Sequence, residues 1–136
     1  MHAPETPRRD TYDYAVIRVV PRVEREEFVN VGILLSCPPA KFLEARIEVD
    51  EARLLALDPD IDLETVRRHL AAMEAICAGG PGSGPIGLLP QRARFHWLTA
   101  KRSSIIQTSP VHLGRCLHAG NAVEHLMDRM VRVRRA

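Results

Sequence analysis

Two apolar runs joined by a short charged segment constrain the fold of this chain more than any other feature. Residues 12–20, YDYAVIRVV, are rich in Tyr, Val and Ile, and Pro21 ends the run. A second apolar run, residues 27–37, follows after the charged segment RVERE. Aromatic and β-branched residues favour strands, and a connection this short favours antiparallel pairing. We therefore predict an antiparallel pair of strands inside a sheet.

The second run carries an amide and a glycine within its apolar stretch. Strict alternation would place Asn30, Gly32 and Leu34 on one face of the strand. The opposite face would then hold Val29, Val31, Ile33 and Leu35. A glycine inside a strand indicates a bulge or the close approach of another backbone or side chain. Asn30 either bonds to neighbouring backbone and fixes the strand register, or lines a pocket whose floor is Gly32.

The rest of the chain predicts three more strands and three helices. The strands are residues 42–49, 92–98 and 104–108. In the strand over 92–98, Ala93, Phe95 and Trp97 would point inward. A short helix over 51–57 would be capped by Asp50, and an amphipathic helix over 63–77 by Asp60 or Asp62. Asn121-x-x-Glu124 has the form of a capping box before the last helix, whose apolar stripe is Val123, Leu126, Met127, Met130 and Val131.

The order β-β-β-α-α-β-β-α predicts an α+β fold. We expect a mainly antiparallel sheet of about five strands, with two or three helices packed on it. Residues 1–136 form a single domain in this prediction, because the length is that of one domain. Residues 1–10 are expected to be a loose leader, 79–85 a flexible loop, and 132–136 a solvated basic tail.

Net charge, hydropathy and cysteine content indicate which classes of protein this chain can belong to. The net charge of +2 is too small to indicate nucleic-acid binding, and no apolar stretch is long enough for a membrane span. The three cysteines are far apart in the sequence and form no C-x-x-C pair. Free thiols are typical of a reducing compartment, so the sequence predicts a soluble cytoplasmic protein.

Two motifs resemble a bacterial family known as domain of unknown function 3037. The family shares a tyrosine-led strand ending in R-x-x-P, an E-F-x-N-V-G strand, and a late R-S-x-x-Q-x-S-P-x-H segment. The matching positions are Tyr14, Arg18, Pro21, Glu27, Phe28, Asn30, Val31, Gly32, Arg102, Ser103, Gln107, Ser109, Pro110 and His112. The resemblance implies no established activity. It implies a protein partner, a kinase of the HipA-like type, because genes of the family often neighbour such a kinase.

The candidate binding residues centre on the polar segment 101–112, KRSSIIQTSPVH. Arginine and hydroxyl groups near a turn can hold a phosphate or a carboxylate, although the same segment is also typical of a hairpin tip. Arg18, on an inner strand, needs a carboxylate such as Glu27 or a bound anion beside it. The candidate ligand-binding set is Arg18, Asn30, Arg102, Ser103, Gln107 and His112.

Catalytic and metal-binding patterns are weak. His96 and His112 do not stand in the paired H-x-T/S repeats of two-histidine phosphoesterases, and no G-x-S-x-G elbow occurs. The spacing of the late cysteine and histidines, His112, Cys116, His118 and His125, is not that of a zinc site. The glycine-rich segment 79–85 lacks the G-K-[ST] of a P-loop. The sequence therefore predicts no catalytic residue, no metal and no cofactor.

Two functions fit these patterns. The first is a non-enzymatic accessory module that binds another protein, such as the HipA-like kinase, or a second copy of itself. The second is a binder or processor of a phosphorylated small molecule or nucleotide. An exposed apolar patch would favour the first function, and convergence of the candidate residues in one concave pocket would favour the second.

Overall fold

One antiparallel sheet of five strands, with helices on both faces, forms the protein in a computed structural model that describes residues 8–102 and 104–133. The strands are β1 Asp10–Val19, β2 Val29–Cys37, β3 Phe42–Ile47, β4 Ile106–Thr108 and β5 His112–Cys116. The helices are α1 Glu51–Leu57, α2 Leu63–Ala78, α3 Gly84–Gly87, α4 Gln91–Leu98 and α5 Ala119–Met130. The predicted α+β class and the sheet of about five strands are confirmed, whereas the described residues form five helices where two or three were expected.

The central strand is β1, which has partners on both sides. β2 pairs with it along most of its length and in turn pairs with β3, all antiparallel. On the other side β1 pairs with two short strands, β5 near its start and β4 near its end. The predicted hairpin of the first two strands is therefore confirmed, and the opposite edge of the sheet is divided into two pieces.

Ser109 occupies the gap between β4 and β5. Its hydroxyl accepts a hydrogen bond from the backbone N–H of Val16, with a distance of 2.8 Å between nitrogen and oxygen. Its own N–H donates to the carbonyl of Val16, also at 2.8 Å. The side chain of Ser109 thus supplies the acceptor that a continuous strand would have provided from its backbone.

A β-bulge interrupts the pairing of β1 with β2. Arg18 pairs with Asn30, and Ile17 pairs with Gly32, so that Val31 has no partner residue on β1. This confirms the bulge that the glycine indicated. The prediction that Val31 and Ile33 share a face is wrong, because the extra residue shifts the alternation by one position. Val31 joins one hydrophobic core and Ile33 joins the other.

Gly32 is required by the close approach of β3. A Cβ atom at this position would lie 2.5 Å from the backbone oxygen of Arg46, which is closer than atoms can pack. The backbone of β3 therefore fills the space beside Gly32. The alternative prediction, a pocket with Gly32 as its floor, is wrong.

The two faces of the sheet support separate hydrophobic cores. One lies under α2 and α4 and contains the buried residues Ile17, Val19, Leu34, Leu54, Val66, Leu70 and Phe95, among others. The other lies under α5 and contains Tyr12, Val16, Ile33, Leu35, Val123, Leu126 and Met127, among others. Asp50 and Asp62 cap α1 and α2 through bonds to Arg53 N and Thr65 N, as expected for acidic N-cap residues.

The segment predicted as a strand over residues 92–98 is helical, and this prediction is wrong. In α4 the buried residues are Arg94, Phe95 and Leu98, whereas Trp97 is exposed. Arg94 accounts for the difference, because its Nη1 donates to the carbonyls of Ile76 and Cys77 at 2.9 and 2.8 Å. These bonds satisfy backbone carbonyls at the C-terminal end of α2, and the Arg94 side chain reaches them from the helix α4.

The last helix and the segment 79–85 also differ from expectation. α5 begins at Ala119 after His118, which makes no side-chain cap, so the capping box at Asn121 is wrong. The segment expected as a flexible loop contains a 3-10 turn, Pro81–Ser83, and runs into α3. β5 was not predicted from the sequence.

The two predicted termini fall partly outside the described residues. Residues 1–7 of the predicted leader lie outside them, and Asp10 already belongs to β1. Residues 134–136 of the predicted tail also lie outside them. Arg132 contacts Glu48, Glu124 and Asp128 through its guanidinium, so it is held against the fold and is not part of a solvated tail.

Candidate functional site

A cleft of about 570 Å³ lies between the β1–β2 connection and the segment that precedes β4. It gathers several sequence-predicted binding residues. Its lining residues are Arg18, Val20, Val23, Glu26, Phe28, Lys101, Arg102 and Gln107. Three of them are cationic and one, Glu26, is acidic, so the cleft carries a positive charge.

A row of polar side chains crosses the sheet beside this cleft. The register pairs Arg18 of β1 with Asn30 of β2 on one side and with Gln107 of β4 on the other. Directly paired residues on neighbouring antiparallel strands point to the same face of a sheet. The bulge at Val31 is what brings Asn30 opposite Arg18. Two consecutive strands and a third that is distant in sequence thus place an amide on either side of one arginine.

Arg18 is half-buried and lacks a partner for part of its guanidinium. Its Cζ atom lies 4.1 Å from the centre of the Phe28 ring, which fixes the guanidinium in the cleft by a cation–π contact. Its Nε atom is buried and has no hydrogen-bond partner among residues 8–102 and 104–133. Burial lowers the pKa of Arg18, and the group nevertheless remains protonated, as arginine does in proteins.

The expected ion pair between Arg18 and Glu27 is wrong. The Glu27 carboxylate instead accepts a hydrogen bond from Nε of Arg25, its neighbour in the same connection, at 2.5 Å. Within the part of the chain that the structure describes, Arg18 makes no ion pair with a carboxylate. A half-buried cation without a carboxylate partner is a position where an anion can bind with little competition.

The remaining cations of the cleft come from the segment before β4. Nη2 of Arg102 donates to the carbonyl of Trp97 at 2.5 Å, and its Cζ lies 3.9 Å from the centre of the Trp97 ring. Lys101 is exposed and extends the positive surface. The contact with Trp97 orients one exposed guanidinium beside the half-buried one of Arg18.

A second, smaller cavity of about 280 Å³ adjoins the cleft. Both cavities are lined in part by Arg102 and Gln107. The other lining residues come from α2, α4, β4 and the connection between α4 and β4. They are mostly apolar: His69, Ala72, Met73, Ile76, Trp97, Leu98, Ala100, Ser104, Ile106 and Thr108. A cationic cleft and an apolar cavity therefore meet at the same two side chains.

The structure brings three of the six sequence-predicted binding residues together in the cleft, namely Arg18, Arg102 and Gln107. Asn30 lies beside Arg18 in the row, but its Nδ2 donates to the carbonyl of Met130 at 3.0 Å. His112 pairs with Tyr14, roughly 13 Å along β1 from Arg18 at about 3.3 Å per residue. Ser103 lies outside the described residues.

Sequence reasoning missed the contribution of two aromatic residues to this site. Phe28 stands within the E-F-x-N-V-G motif, and this position is the sequence signal that could have identified it. In the structure its side chain is exposed. Trp97 was expected to point inward on a strand, but it is 40% exposed on α4 and packs against Arg102. Only the correct assignment of α4 as a helix would have placed Trp97 near Arg102.

Among the residues that the structure describes, no group of three His, Cys, Asp or Glu side chains is arranged to hold a metal ion. Burial raises the pKa of Cys77 to about 12, so this thiol stays protonated near neutral pH. None of the described helices has both the length and the apolar character needed to cross a membrane.

Comparison with known proteins identifies the family. A search of curated proteins and a search of solved structures each gave no significant match. The family model described as "Protein of unknown function (DUF3037)" matches residues 14–131, which is most of the chain and includes the second part of β1, the cleft and α5. This match confirms the resemblance seen in the two motifs. The chain belongs to the DUF3037 family of proteins of unknown function.

Proposed function

We propose that the protein binds a phosphorylated small molecule or a related anion in the cleft around Arg18. One observation carries this proposal: the guanidinium of Arg18 lines the cleft, is held against Phe28, is half-buried, and makes no ion pair with a carboxylate among the described residues. A phosphate in the cleft supplies the negative charge that this half-buried cation favours, and its oxygens can accept hydrogen bonds from the part of the guanidinium that lines the cleft.

The neighbouring groups suit the same ligand. Lys101 and Arg102 add two positive charges at the mouth of the cleft, where they attract an anion from solution. Gln107 lies on the floor beside Arg18 and has one Nε2 bond, to the carbonyl of Ser104 at 2.9 Å. A carboxamide has further donor and acceptor capacity, so Gln107 can bond an oxygen of the bound molecule.

The proposal concerns binding. Among the described residues that line the cleft, none is a serine, threonine, cysteine or histidine, and the groups that can carry a proton are Glu26 and Lys101. The arrangement resembles a receptor for an anion, with one preorganised guanidinium and a positive rim.

Titration with inorganic phosphate tests the proposal. Trp97 is the only tryptophan of the chain and contacts Arg102, so its fluorescence should change as phosphate enters the cleft. We expect Arg18→Gln to weaken phosphate binding at least about tenfold, because it removes a charge-assisted interaction. Lys101→Gln, at an exposed position, should weaken binding by a smaller factor and should not disturb the fold.

Arg68→Gln serves as the matched control, since Arg68 is an exposed arginine on α2 that pairs with Glu64 and does not line the cleft. It should bind phosphate as the wild type does. Equal affinities of the wild type, Arg18→Gln and Lys101→Gln would contradict the proposal. Circular dichroism of each variant distinguishes a lost site from a lost fold.

A second candidate function, protein interaction, is favoured by the exposed edge of β5. Leu113 is 74% exposed, and Val111 and Leu117 at either end of the strand are also exposed. Within the described chain, β5 pairs only with β1, so its outer edge can accept a strand from another protein. In this candidate function the partner is a HipA-like kinase or a second copy of the chain.

Leu113→Lys tests this second function in a binding assay with the co-expressed kinase and by measurement of the oligomeric state. The variant should lose the interaction, because a lysine on the edge opposes strand addition. Retention of partner or dimer by Leu113→Lys would count against an interface at β5. Lys substitution at Leu88, which is 65% exposed in the connection between α3 and α4, provides the control.

We place this activity in the cytoplasm of a bacterium. The support is the state of the three cysteines, Cys37, Cys77 and Cys116, all of which are free thiols. Two of them are buried. Unpaired thiols in a protein of this size are typical of a reducing compartment.

A further inference from the structure

We infer that the natural ligand has two parts, an anionic group held in the cleft and an apolar body held in the adjoining cavity between α2, α4 and β4. The inference rests on the proposed function and adds the chemical class of the ligand to it. It identifies a small, amphipathic phosphate monoester as the molecule that fits both compartments.

The first step is the shared wall. Arg102 and Gln107 line both the cationic cleft and the apolar cavity. Gln107 belongs to β4, an edge strand of three residues whose paired neighbour on the described chain is β1. Because β4 is a short strand at the edge of the sheet, little of the chain separates the two compartments there. A molecule that binds in one compartment can extend around this edge into the other.

The second step is the difference in chemistry between the compartments. The cleft presents Arg18, Lys101 and Arg102, which suit a dianionic phosphate. The cavity presents aliphatic side chains from α2 and β4, such as Met73, Ile76 and Ile106, and its volume is about 280 Å³. Apolar lining with a few polar groups at one end is typical of a site that buries the carbon skeleton of a ligand.

The third step concerns Trp97. Its ring is 40% exposed, lines the apolar cavity, and bears Arg102 on one face. An exposed tryptophan in a cavity wall offers a large apolar surface that is stabilised when a ligand covers it. Arg102 is thereby positioned at the junction, where the phosphate of such a ligand would meet its apolar body.

A series of alkyl phosphates tests the inference on the full chain. Methyl, propyl and hexyl phosphate carry the same anionic group and differ only in apolar length. Each methylene that becomes buried is worth about fourfold in affinity, so hexyl phosphate should bind at least about 15-fold more tightly than methyl phosphate if two or more methylenes enter the cavity. Isothermal titration calorimetry measures the affinities, and Trp97 fluorescence reports occupation of the cavity.

Substitutions on α2 localise the effect. Ala71 and Ala72 are both exposed, but only Ala72 lines the cavity, and Ala71 lines neither compartment. Ala72→Leu places a larger side chain in the cavity and should remove the advantage of hexyl over methyl phosphate. Ala71→Leu introduces the same side chain one residue away and should keep the full advantage. A chain-length advantage that persists in Ala72→Leu would overturn the inference.

The outcomes separate this inference from the function on which it rests. If phosphates bind in an Arg18-dependent manner and the three alkyl phosphates bind equally, the anion site stands and the two-part ligand is wrong. If none of the phosphates binds, both fail. Vesicles containing phosphatidic acid provide the last comparison: sedimentation of the protein with them, together with no binding of monomeric hexyl phosphate, would contradict a soluble ligand.

Discussion

Ser109 completes the backbone hydrogen bonding of Val16 at the point where the sheet edge is broken. The hydroxyl of Ser109 accepts from Val16 N–H, and Ser109 N–H donates to Val16 O, both at 2.8 Å. Ser109→Ala leaves a buried N–H of β1 without an acceptor, which should lower the free energy of unfolding by about 1–3 kcal/mol. Urea denaturation of the wild type and the variant measures the difference.

Ser104→Ala is the comparison for this prediction. The hydroxyl of Ser104 donates to the carbonyl of Ile106 within the same segment, where the groups are only half-buried. Its loss should change stability by less than about 1 kcal/mol. An effect of Ser109→Ala no greater than that of Ser104→Ala would show that the N–H of Val16 finds another acceptor.

Asn30 should stabilise the end of the last helix. Its Nδ2 donates to the carbonyl of Met130, the last residue of α5. Asn30→Ala removes this bond and should cost about 1 kcal/mol. Asn121→Ala, inside α5, should be neutral or slightly stabilising, because alanine is the better helix former and Asn121 is not the N-cap. Thermal denaturation of both variants distinguishes this structure from the capping box that the sequence suggested.

Gly32 should tolerate no side chain. In Gly32→Ala the new Cβ would lie 2.5 Å from the backbone oxygen of Arg46, and β2 and β3 would have to move apart. Overpacking of this kind costs about 1–3 kcal/mol. Gly120 of α5 has nothing within 4 Å of an added Cβ, so Gly120→Ala should stabilise the protein by up to about 1 kcal/mol. Chemical denaturation measures the stability of both variants. Equal stabilities would show that the backbone of β3 does not pack against Gly32 as described.

Cys77 should make the protein less stable in alkaline solution. Burial raises the pKa of this thiol from its ordinary value near 9 to about 12, an effect that Arg94 partly opposes. The thiol is therefore more acidic in the unfolded chain. Its contribution is fully present below pH 9 and is lost as the pH rises through about 12, with a slope of at most about 1.4 kcal/mol per pH unit.

Cys77→Ala removes the titrating group and leaves the other alkaline titrations of the protein in place. The free energy of unfolding should fall less steeply between pH 9 and 12 in the variant than in the wild type. Measurements by urea denaturation across this range give the two slopes. Parallel slopes would mean that the thiol is not buried in the folded protein.

The parts of the fold that local signals specify were predictable from the sequence. Asp50 and Asp62 cap helices through bonds to the backbone three residues ahead, so the signal and the structure lie within one turn. The aromatic and β-branched residues of β1 and its short link to β2 likewise indicate a hairpin without help from distant residues. These elements are two of the five strands and the first two helices.

The errors lie where tertiary contacts override local preference. Phe95 and Trp97 alternate as in a strand, but Arg94 must reach the end of α2, and a helix allows this. β5 contains few strand-forming residues, and it pairs with β1 where the ring of Tyr12 covers Gly114 so closely that a Cβ there would lie 2.3 Å from it. Neither contact leaves a pattern within its own segment.

In the candidate site, too, local sequence signals identify residues, and tertiary contacts decide where they lie. Arg18, Arg102 and Gln107 were chosen from motifs, and the structure gathers them in one cleft. Their convergence depends on the bulge at Val31 and on the pairing of β4 with β1 across the length of the chain. His112 was chosen on the same grounds and lies elsewhere, because β5 pairs with the other end of β1. A motif can identify the residues, whereas the strand register decides which of them meet.

The divided sheet edge has a consequence for synthesis of the protein on the ribosome. β1 is translated before the other strands. The two strands that pair with its other edge, β4 and β5, are translated after α4, and only α5 follows them among the described elements. A nascent chain that has reached only α4 therefore carries a long apolar strand with one side unpaired, which is the kind of surface that aggregates. We expect the growing polypeptide to depend on chaperones until the segment around Ser109 has left the exit tunnel.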